Sequence, residues 1–404
     1  MKSVAAHLED CLELAQPLER FDAELPDAIG CVLAEDVRST LDVPAADMAA
    51  CDGYAVKGAD TLGASPERPR TLRVTDEVFA DTIETFSLLE GTAVRIASGA
   101  RLPKGADAVV PLASTDQNQV DVTIFQSVRS GDYVRQRAED LGAGETILEA
   151  GTRLAARHIA LLAAAGWAGA VVNPAPRVVV MSVGNELVAP GRAVPPGKVY
   201  DANCHALAAA VRSAGGVAYR VPAISDDKAI LREALEDQLL RADVIITTGG
   251  LSYGGGDTLK EVLLPLGSVR FDNVAMTPGK QLGVGKLEDG TVIFCLPGDP
   301  VAALVAFEAF VRPSLRKMAG YANVASRTIR TTARSTLYSD EGVRDFVRVQ
   351  IEPKPDGTFD FTAAQDDDRS LLSGLARSNG LAIVPEDVTR VSPGDELECM
   401  IFKV

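Results

Sequence analysis

Histidine is scarce in this 404-residue chain: His7, His158 and His205 are the only three, and no two stand at metal-ligand spacing. That argues against histidine-centred catalysis or a histidine metal site. The six cysteines (Cys11, Cys31, Cys51, Cys204, Cys295, Cys399) are scattered and form no Cys-x-x-Cys pair, so buried thiols in a reducing compartment are expected rather than a disulfide framework or a zinc site. Basic charge is also short. Lysine and arginine number 40 against 56 acidic residues, a formal net charge of −16. Such a chain has no general attraction for nucleic acid or an anionic membrane, and any anionic ligand must be held locally. No apolar run approaches the roughly 18 residues of a membrane span, and Met1–Glu9 lacks a basic stretch followed by an apolar one. A cytoplasmic protein with neither nucleic acid nor membrane as partner is the expectation.

What is present is ordinary globular material, 47% hydrophobic and 24% charged, long enough for several cores. His7 to Leu18 reads as a helix, and a loop from Asp22 contains a strand at Cys31 to Asp36. From Tyr54 to Val134, β-rich runs (Thr71 to Val78, Thr92 to Ile96, Ala108 to Pro111, Val120 to Phe125) alternate with Gly, Pro and Asp clusters, a small all-β unit. A helical run from Ala155 to Ala165 stops at Gly166, and Asn173-Pro174 with Pro176 suggests a linker. Arg177 to Lys317 then alternates strands (Arg177 to Val183, Val217 to Ala223, Val244 to Thr247, Val292 to Leu296) with helices (Ala202 to Ala214, Asp227 to Arg241). That rhythm predicts βαβ crossovers around a mostly parallel sheet covered on both faces, with ligands beyond the carboxyl ends of the strands. Residues from Thr328 to Val404 return to β, with turns at Pro355-Asp356-Gly357 and Pro393-Gly394-Asp395.

Three strand ends in the α/β segment run into loops of unusual composition. Ser182-Val183-Gly184-Asn185-Glu186 delivers a carboxylate able to cap a helix or to bind a hydroxyl, an amine or a hydrated cation. Gly249 to Gly256 holds five glycines in eight residues, with Asp257 opening the next helix. Such a density lets backbone N–H groups turn toward a phosphate or other oxyanion. It is neither a Walker loop nor a dinucleotide fingerprint. Thr277-Pro278-Gly279-Lys280 offers a point positive charge, and Leu296-Pro297-Gly298-Asp299-Pro300 follows one strand later. Asp299-Pro300 also reads as a helix start, Asp at the cap and Pro at the first helical position. Residues alone thus reach an anion-binding α/β protein with scope for Mg²⁺.

Taken in order, the motifs resemble the MoeA/gephyrin E-domain family over nearly the whole chain. The likeness rests on Asp52-Gly53-Tyr54-Ala55-Val56, Ser98 to Ala100 with Pro103 and Gly105, Glu139-Asp140, Gly184 to Leu187, Asn203, Gly249-Gly250-x-Ser252 with Asp257, Pro278-Gly279-Lys280, and Pro297-Gly298-x-Pro300. The resemblance implies a multidomain α/β plus β fold. Its parts would be a discontinuous N-terminal domain (1–45 and 141–175), an inserted β-rich domain (46–140), a three-layer α/β molybdopterin-binding domain (176–320) and a C-terminal β domain (321–404). It implies a homodimer that inserts molybdate into adenylylated molybdopterin with release of AMP, requires Mg²⁺, and meets molybdoenzymes or other cofactor-pathway proteins. Carried over by motif, Asp52, Glu186 and Asp257 are the catalytic candidates, with Glu186 and Asp257 on the metal. Ser98, Asp140, Gly249, Gly250, Ser252, Lys280 and Pro297 would bind substrate, as would Arg348 and Ser373 on the molybdate side.

Some positions depart from the family pattern. Met48-Ala49-Ala50-Cys51 replaces Asn-Ser-Ala-Met, Asn185 and Asp299 replace an aspartate and an asparagine, and Thr277 replaces a lysine. The last two make the expected anion site less positive. A divergent paralogue acting on another pterin or phosphorylated ligand, or a non-catalytic cofactor-binding scaffold, are the alternatives these changes raise.

Overall fold

A computed structural model describes residues 1–251, 258–364 and 370–402. Its centre is a six-stranded sheet in the order Val217–Arg220, Arg177–Ser182, Val244–Thr248, Val292–Leu296, Gln281–Leu287, Gly267–Asn273. The first four strands are parallel and the last two antiparallel. Because side chains alternate along a strand, each strand here feeds two cores. Val178, Val180, Val244, Ile246, Val292 and Phe294 face one layer. Val179, Met181, Ile245, Ile293 and Cys295 face the other. The first layer is covered by the Asn203–Ala214 helix and the helical run of Pro300–Ala306, Phe307–Val311 and Arg312–Met318. In that run the middle turn widens to i→i+5 spacing just before Pro313, whose nitrogen has no hydrogen to donate. Lys228–Leu239 and Thr258–Leu263 cover the second layer.

The antiparallel pair is absent from the sequence reading because glycine breaks its apolar alternation. A Cβ on Gly283 would meet the Phe271 ring at 2.7 Å, and one on Gly285 would meet the Ser268 carbonyl oxygen at 2.3 Å. Both positions therefore need glycine for the neighbouring strand to come close.

The chain from 21 to 173 builds two further units. Phe21–Glu24, Gly169–Asn173 and Val32–Leu33 form a three-stranded sheet, and the expected linker at Pro174 to Pro176 is the short irregular stretch between its middle strand and Arg177–Ser182. The strand expected over Cys31 to Asp36 is two short ones, Val32–Leu33 and Val37–Arg38. Between Val37–Arg38 and its partner strand Thr146–Leu148 the chain inserts a five-stranded sheet ordered Ala108–Pro111, Gly53–Val56, Thr92–Ile96, Arg70–Val78, Asp121–Ile124. Tyr54 is wholly buried in it and donates its hydroxyl to the Asn118 carbonyl at 3.0 Å. At the C-terminus, Arg344–Pro353, Phe359–Ala363, Thr328–Ala333, Glu396–Ile401 and Gly380–Val384 close on themselves, the first strand also pairing with the last. Closure removes the free edges a five-stranded sheet would expose. Met276–Thr277 leaves the α/β unit to pair in parallel with Arg344 and Asp345.

The first helix, Val4–Leu14, packs on the α/β layer rather than on the rest of residues 1–45. Ser3 caps it by accepting from the Ala6 amide at 3.1 Å, and Lys317 donates to the Leu12 carbonyl at 2.7 Å. His7 is buried edge-on to Phe310 with ring centroids 4.8 Å apart. Its Nδ1 lies 3.5 Å from Asp272, which is paired with Lys2; Lys2 and Arg270 also pair with Asp10. All six thiols are free. Cys11, Cys204, Cys295 and Cys399 are buried and Cys31 and Cys51 half-buried. Burial pushes Cys11 and Cys295 up to about 12 and leaves them inert thiols at neutral pH. No helix among the described residues is long and apolar enough to cross a membrane.

Desolvation, with a smaller contribution from Lys2, lowers the pKa of His7 from 6.5 to about 4. Below pH 6.5 the unfolded segment takes a proton that the docked helix refuses. Stability from the neutral imidazole is therefore whole above pH 6.5 and is lost as the pH falls toward 4. Amide exchange of the Val4–Leu14 helix should show its opening free energy dropping by roughly 1.5 kcal/mol more in the parent than in His7→Gln between pH 6.5 and 5. Equal slopes would remove His7 from this role.

Candidate functional site

The chain order of the central sheet places a switch point between two neighbours. After Arg177–Ser182 the chain moves outward to Val217–Arg220, and after Val244–Thr248 it leaves in the other direction. A crevice opens beyond the carboxyl ends of strands at such a point. The two loops that leave there are Gly184 to Glu186 and Gly249-Gly250. They touch through backbone: a Cβ on Gly249 would lie 2.3 Å from the Val183 carbonyl oxygen, and Gly249 and Gly250 have φ of +88° and +70°. Only glycine serves there without strain.

The third loop comes in from the next strand. Thr248 Oγ1 donates to the Pro297 carbonyl at 2.7 Å, and the Gly298 carbonyl accepts from Asn203 at 2.8 Å. Asp299 caps the Pro300–Ala306 helix, accepting from the Ala302 amide at 2.8 Å, with Pro300 at the first position. Gly283 pairs with Cys295 in the antiparallel ladder, which brings the turn before Gln281 to the same carboxyl edge. A Cβ on Gly279 would meet Ala302 at 3.0 Å and Pro297 at 3.2 Å, so the Thr277-to-Lys280 turn rests against the Pro297 loop. Lys280 is exposed beside it.

Glu186 is exposed and folds its carboxylate over Gly184, where a Cβ would meet both oxygens at 2.6 Å. Asn185 is held from three sides. Its amide donates to Asp226 at 3.3 Å, its Oδ1 accepts from Ser225 at 2.8 Å, and its carbonyl accepts from Lys198. The asparagine thus works as a tether for the Glu186 loop. Asp226, Lys198 and Thr248 escaped the sequence reading. The available signal was the fourth parallel strand: its outgoing loop, Ser225-Asp226-Asp227, lies at the same carboxyl edge and ends in the Asp227 cap of Lys228–Leu239. Ser252 and Asp257 lie outside the described residues.

In the inserted sheet, Asp52 accepts from the Ser98 amide at 2.7 Å, and Ser98 Oγ reaches the Ala50 carbonyl at 3.4 Å. Asp140 is exposed on a turn whose amide donates to Val43 at 3.0 Å. Among the described residues, no hydrogen bond or ion pair joins Asp52, Ser98 or Asp140 to Glu186, the Gly249-Gly250 turn or Lys280. Arg348 belongs to the closed C-terminal sheet, 4% exposed, and donates to the Leu371 carbonyl. It orders the approach to the Leu372–Arg377 helix, on which Ser373 is exposed.

Among the described residues no group of three or more His, Cys, Asp or Glu could hold a metal ion. Mg²⁺ asks for less, one or two carboxylates with waters and phosphate oxygens completing its shell. Glu186 is one exposed carboxylate of this kind, and Asp226 accepts from the amide of Asn185, the residue before Glu186.

Glycine turns, accessible carboxylates and a lysine around the switch point of a parallel sheet define an α/β protein that holds a phosphorylated ligand. Family comparison gives this class its name. The MoeA N-terminal region (domain I and II) matches residues 2–166, the probable molybdopterin binding domain 179–317, and the MoeA C-terminal region (domain IV) 330–402. Molybdopterin molybdenumtransferase 2 of Mycobacterium tuberculosis is 37% identical over 98% of this chain and 99% of its own length. The molybdopterin molybdenumtransferase of Bacillus subtilis is 31% identical over 94% and 89%. Crystal structures of the molybdopterin biosynthesis MoeA protein from Pyrococcus horikoshii superpose with TM-scores of 0.82 and 0.80, at 30% and 26% identity, over the whole of this chain and 99% and 100% of theirs. The chain belongs to the MoeA family, the molybdopterin molybdenumtransferases of molybdenum cofactor biosynthesis.

Asparagine caps a helix about as well as aspartate, so Asp299→Asn should keep the Pro300–Ala306 helix, with a thermal midpoint close to the parent's. It also removes one negative charge, and Thr277→Lys adds a positive one. If the anion bound here is molybdate, the double variant should lower the apparent Michaelis constant for molybdate, and more so at low salt. An unchanged molybdate dependence at every ionic strength would place the anion elsewhere.

Proposed function

We propose that this molybdenumtransferase inserts molybdate into adenylylated molybdopterin with release of AMP, as a Mg²⁺-dependent homodimer of the cytoplasm. The observation that carries the reading is the meeting of the Gly184–Glu186, Gly249-Gly250 and Pro297–Asp299 loops at one switch point, inside the segment matched to a molybdopterin binding domain. The four-part division at 1–45 with 141–175, 46–140, 176–320 and 321–404 belongs to the same reading. So does the docking of recipient molybdoenzymes or other pathway proteins.

The Gly250 N–H and those of the glycine-rich segment after it hold the phosphates, with Pro297 and Ser252 as further substrate-binding residues. Glu186 and Asp257 would hold Mg²⁺, which when bound neutralises charge on phosphate oxygens. Lys280 attracts the molybdate anion, with Arg348 ordering the segment that presents Ser373. No covalent nucleophile is needed, since holding phosphoanhydride and oxoanion together supplies much of the acceleration. Asp52, hydrogen-bonded to the Ser98 amide, and Asp140 are the remaining substrate and catalytic candidates. In the homodimer of this reading, these residues of one subunit would complete the crevice of the other.

Glu186→Gln keeps the side chain's shape and removes its charge. AMP release from adenylylated molybdopterin with molybdate should fall by about tenfold or more at moderate Mg²⁺ and recover in part as Mg²⁺ is raised. The same Mg²⁺ dependence in variant and parent would reduce Glu186 to a loop residue. A parent that binds the nucleotide ligand without releasing AMP would make the protein a cofactor-binding scaffold.

A further inference from the structure

We infer that Asn203 and Thr248 are positioning residues for the transfer, a buried latch that fixes the Gly249-Gly250 turn against the Pro297-Gly298 loop. The inference rests on the reading of the crevice given above. Asn203 begins the Asn203–Ala214 helix and is 9% exposed; Thr248 ends the Val244–Thr248 strand and is 1% exposed. Asn203 Nδ2 donates to Thr248 Oγ1 and to the Gly298 carbonyl, each at 2.8 Å, and Thr248 Oγ1 donates onward to the Pro297 carbonyl at 2.7 Å. Two side chains thereby join a helix start, the end of the central strand and the third loop.

The helix has no need of Asn203 as a cap. Asp201 does that work, its Oδ1 accepting from the Cys204 amide at 3.0 Å and from Ser182 Oγ at 2.7 Å. The amide's orientation is settled, because the Gly298 carbonyl can only accept. With Nδ2 so committed, Asn203 Oδ1 is left buried with no hydrogen-bond partner among the described residues. An unpartnered buried acceptor is unfavourable, a cost carried by an amide whose Nδ2 serves both Thr248 and the Gly298 carbonyl. What the amide supplies is alignment. The backbone bond that otherwise ties this turn to its neighbour, Gly249 N–H to the Leu296 carbonyl, is long at 3.3 Å. The latch holds what that bond holds loosely, at the place where ligand phosphates are expected.

Thr248→Val keeps the shape and loses the hydroxyl, while Thr248→Ser keeps the hydroxyl and loses the methyl. With adenylylated molybdopterin and molybdate, Thr248→Val should lower kcat by about 30-fold with KM within about threefold, as a small misplacement of reacting groups does. Thr248→Ser should restore most of it. Asn203→Ala should resemble Thr248→Val, and the double variant should be no worse than the weaker single one. Amide exchange at Gly249 should be faster in Thr248→Val than in Thr248→Ser. Faster exchange with unchanged kcat, additive losses in the double variant, or a serine variant as poor as valine would each overturn the latch. If the parent releases no AMP, the transfer reading fails by itself. Gly249 exchange then decides the latch: a difference between valine and serine upholds it, and equality overturns it.

Discussion

The close approach of Gly249 to the Val183 carbonyl is the constraint on which the crevice depends. Two parallel strands side by side bring their carboxyl ends together, but a side chain at either turn would force the outgoing loops apart. Removing the Cβ at 249 lets one loop lie on the other's backbone. Both then point polar groups into the same space, Glu186 from one side and the glycine turn from the other. The Pro297 and Lys280 loops are added to that contact by the same means, a left-handed Gly279 against Pro297 and Ala302. The site is therefore assembled from backbone proximity first and side-chain chemistry second.

This order of construction suits an acidic protein that must hold an anion. Long-range attraction is unavailable at a net charge of −16, and added surface lysines would be screened beyond about 10 Å. Backbone N–H groups act at contact distance and carry no net charge to be offset by the surrounding carboxylates. Lys280 adds an exposed cation at the rim, while Lys198 spends its ammonium on the Asn185 carbonyl of the Glu186 loop.

Much of the architecture was legible because alternation is a physical requirement of a half-buried strand. The runs read at Thr92 to Ile96 and Ala108 to Pro111 are strands with those limits, and the parallel strands of the α/β unit announced themselves as continuous apolar segments. Where glycine replaces a side chain to admit a neighbour, as at Gly283 and Gly285, the pattern vanishes although the strand is real. The packing of the first helix was not legible, since an amphipathic helix records that it has a buried face and not which sheet covers it. In the site, glycine-rich turns and the carboxylate at a strand end could be read from residue type alone. Asp226 and Thr248 could not, because their relevance comes from strand order, which places the ends of four strands side by side.

Several residues at the crevice also have structural work, and this bears on how their identity is to be read. Asp299 caps a helix that asparagine would cap equally well, so the cap does not select the charge. Arg348 spends its guanidinium on a carbonyl of the loop before Ser373, which makes it a support for that loop before any contact with an oxoanion. Asn185 is bonded at its amide, its side-chain oxygen and its carbonyl; an aspartate there would keep the bond from Ser225 but set a second carboxylate beside Asp226. The scaffold is thus indifferent between asparagine and aspartate at 299, whereas at 185 a neutral amide suits the neighbouring Asp226. The negative charge at 299 is therefore not accounted for by the cap, since the neutral residue would hold the same Ala302 amide.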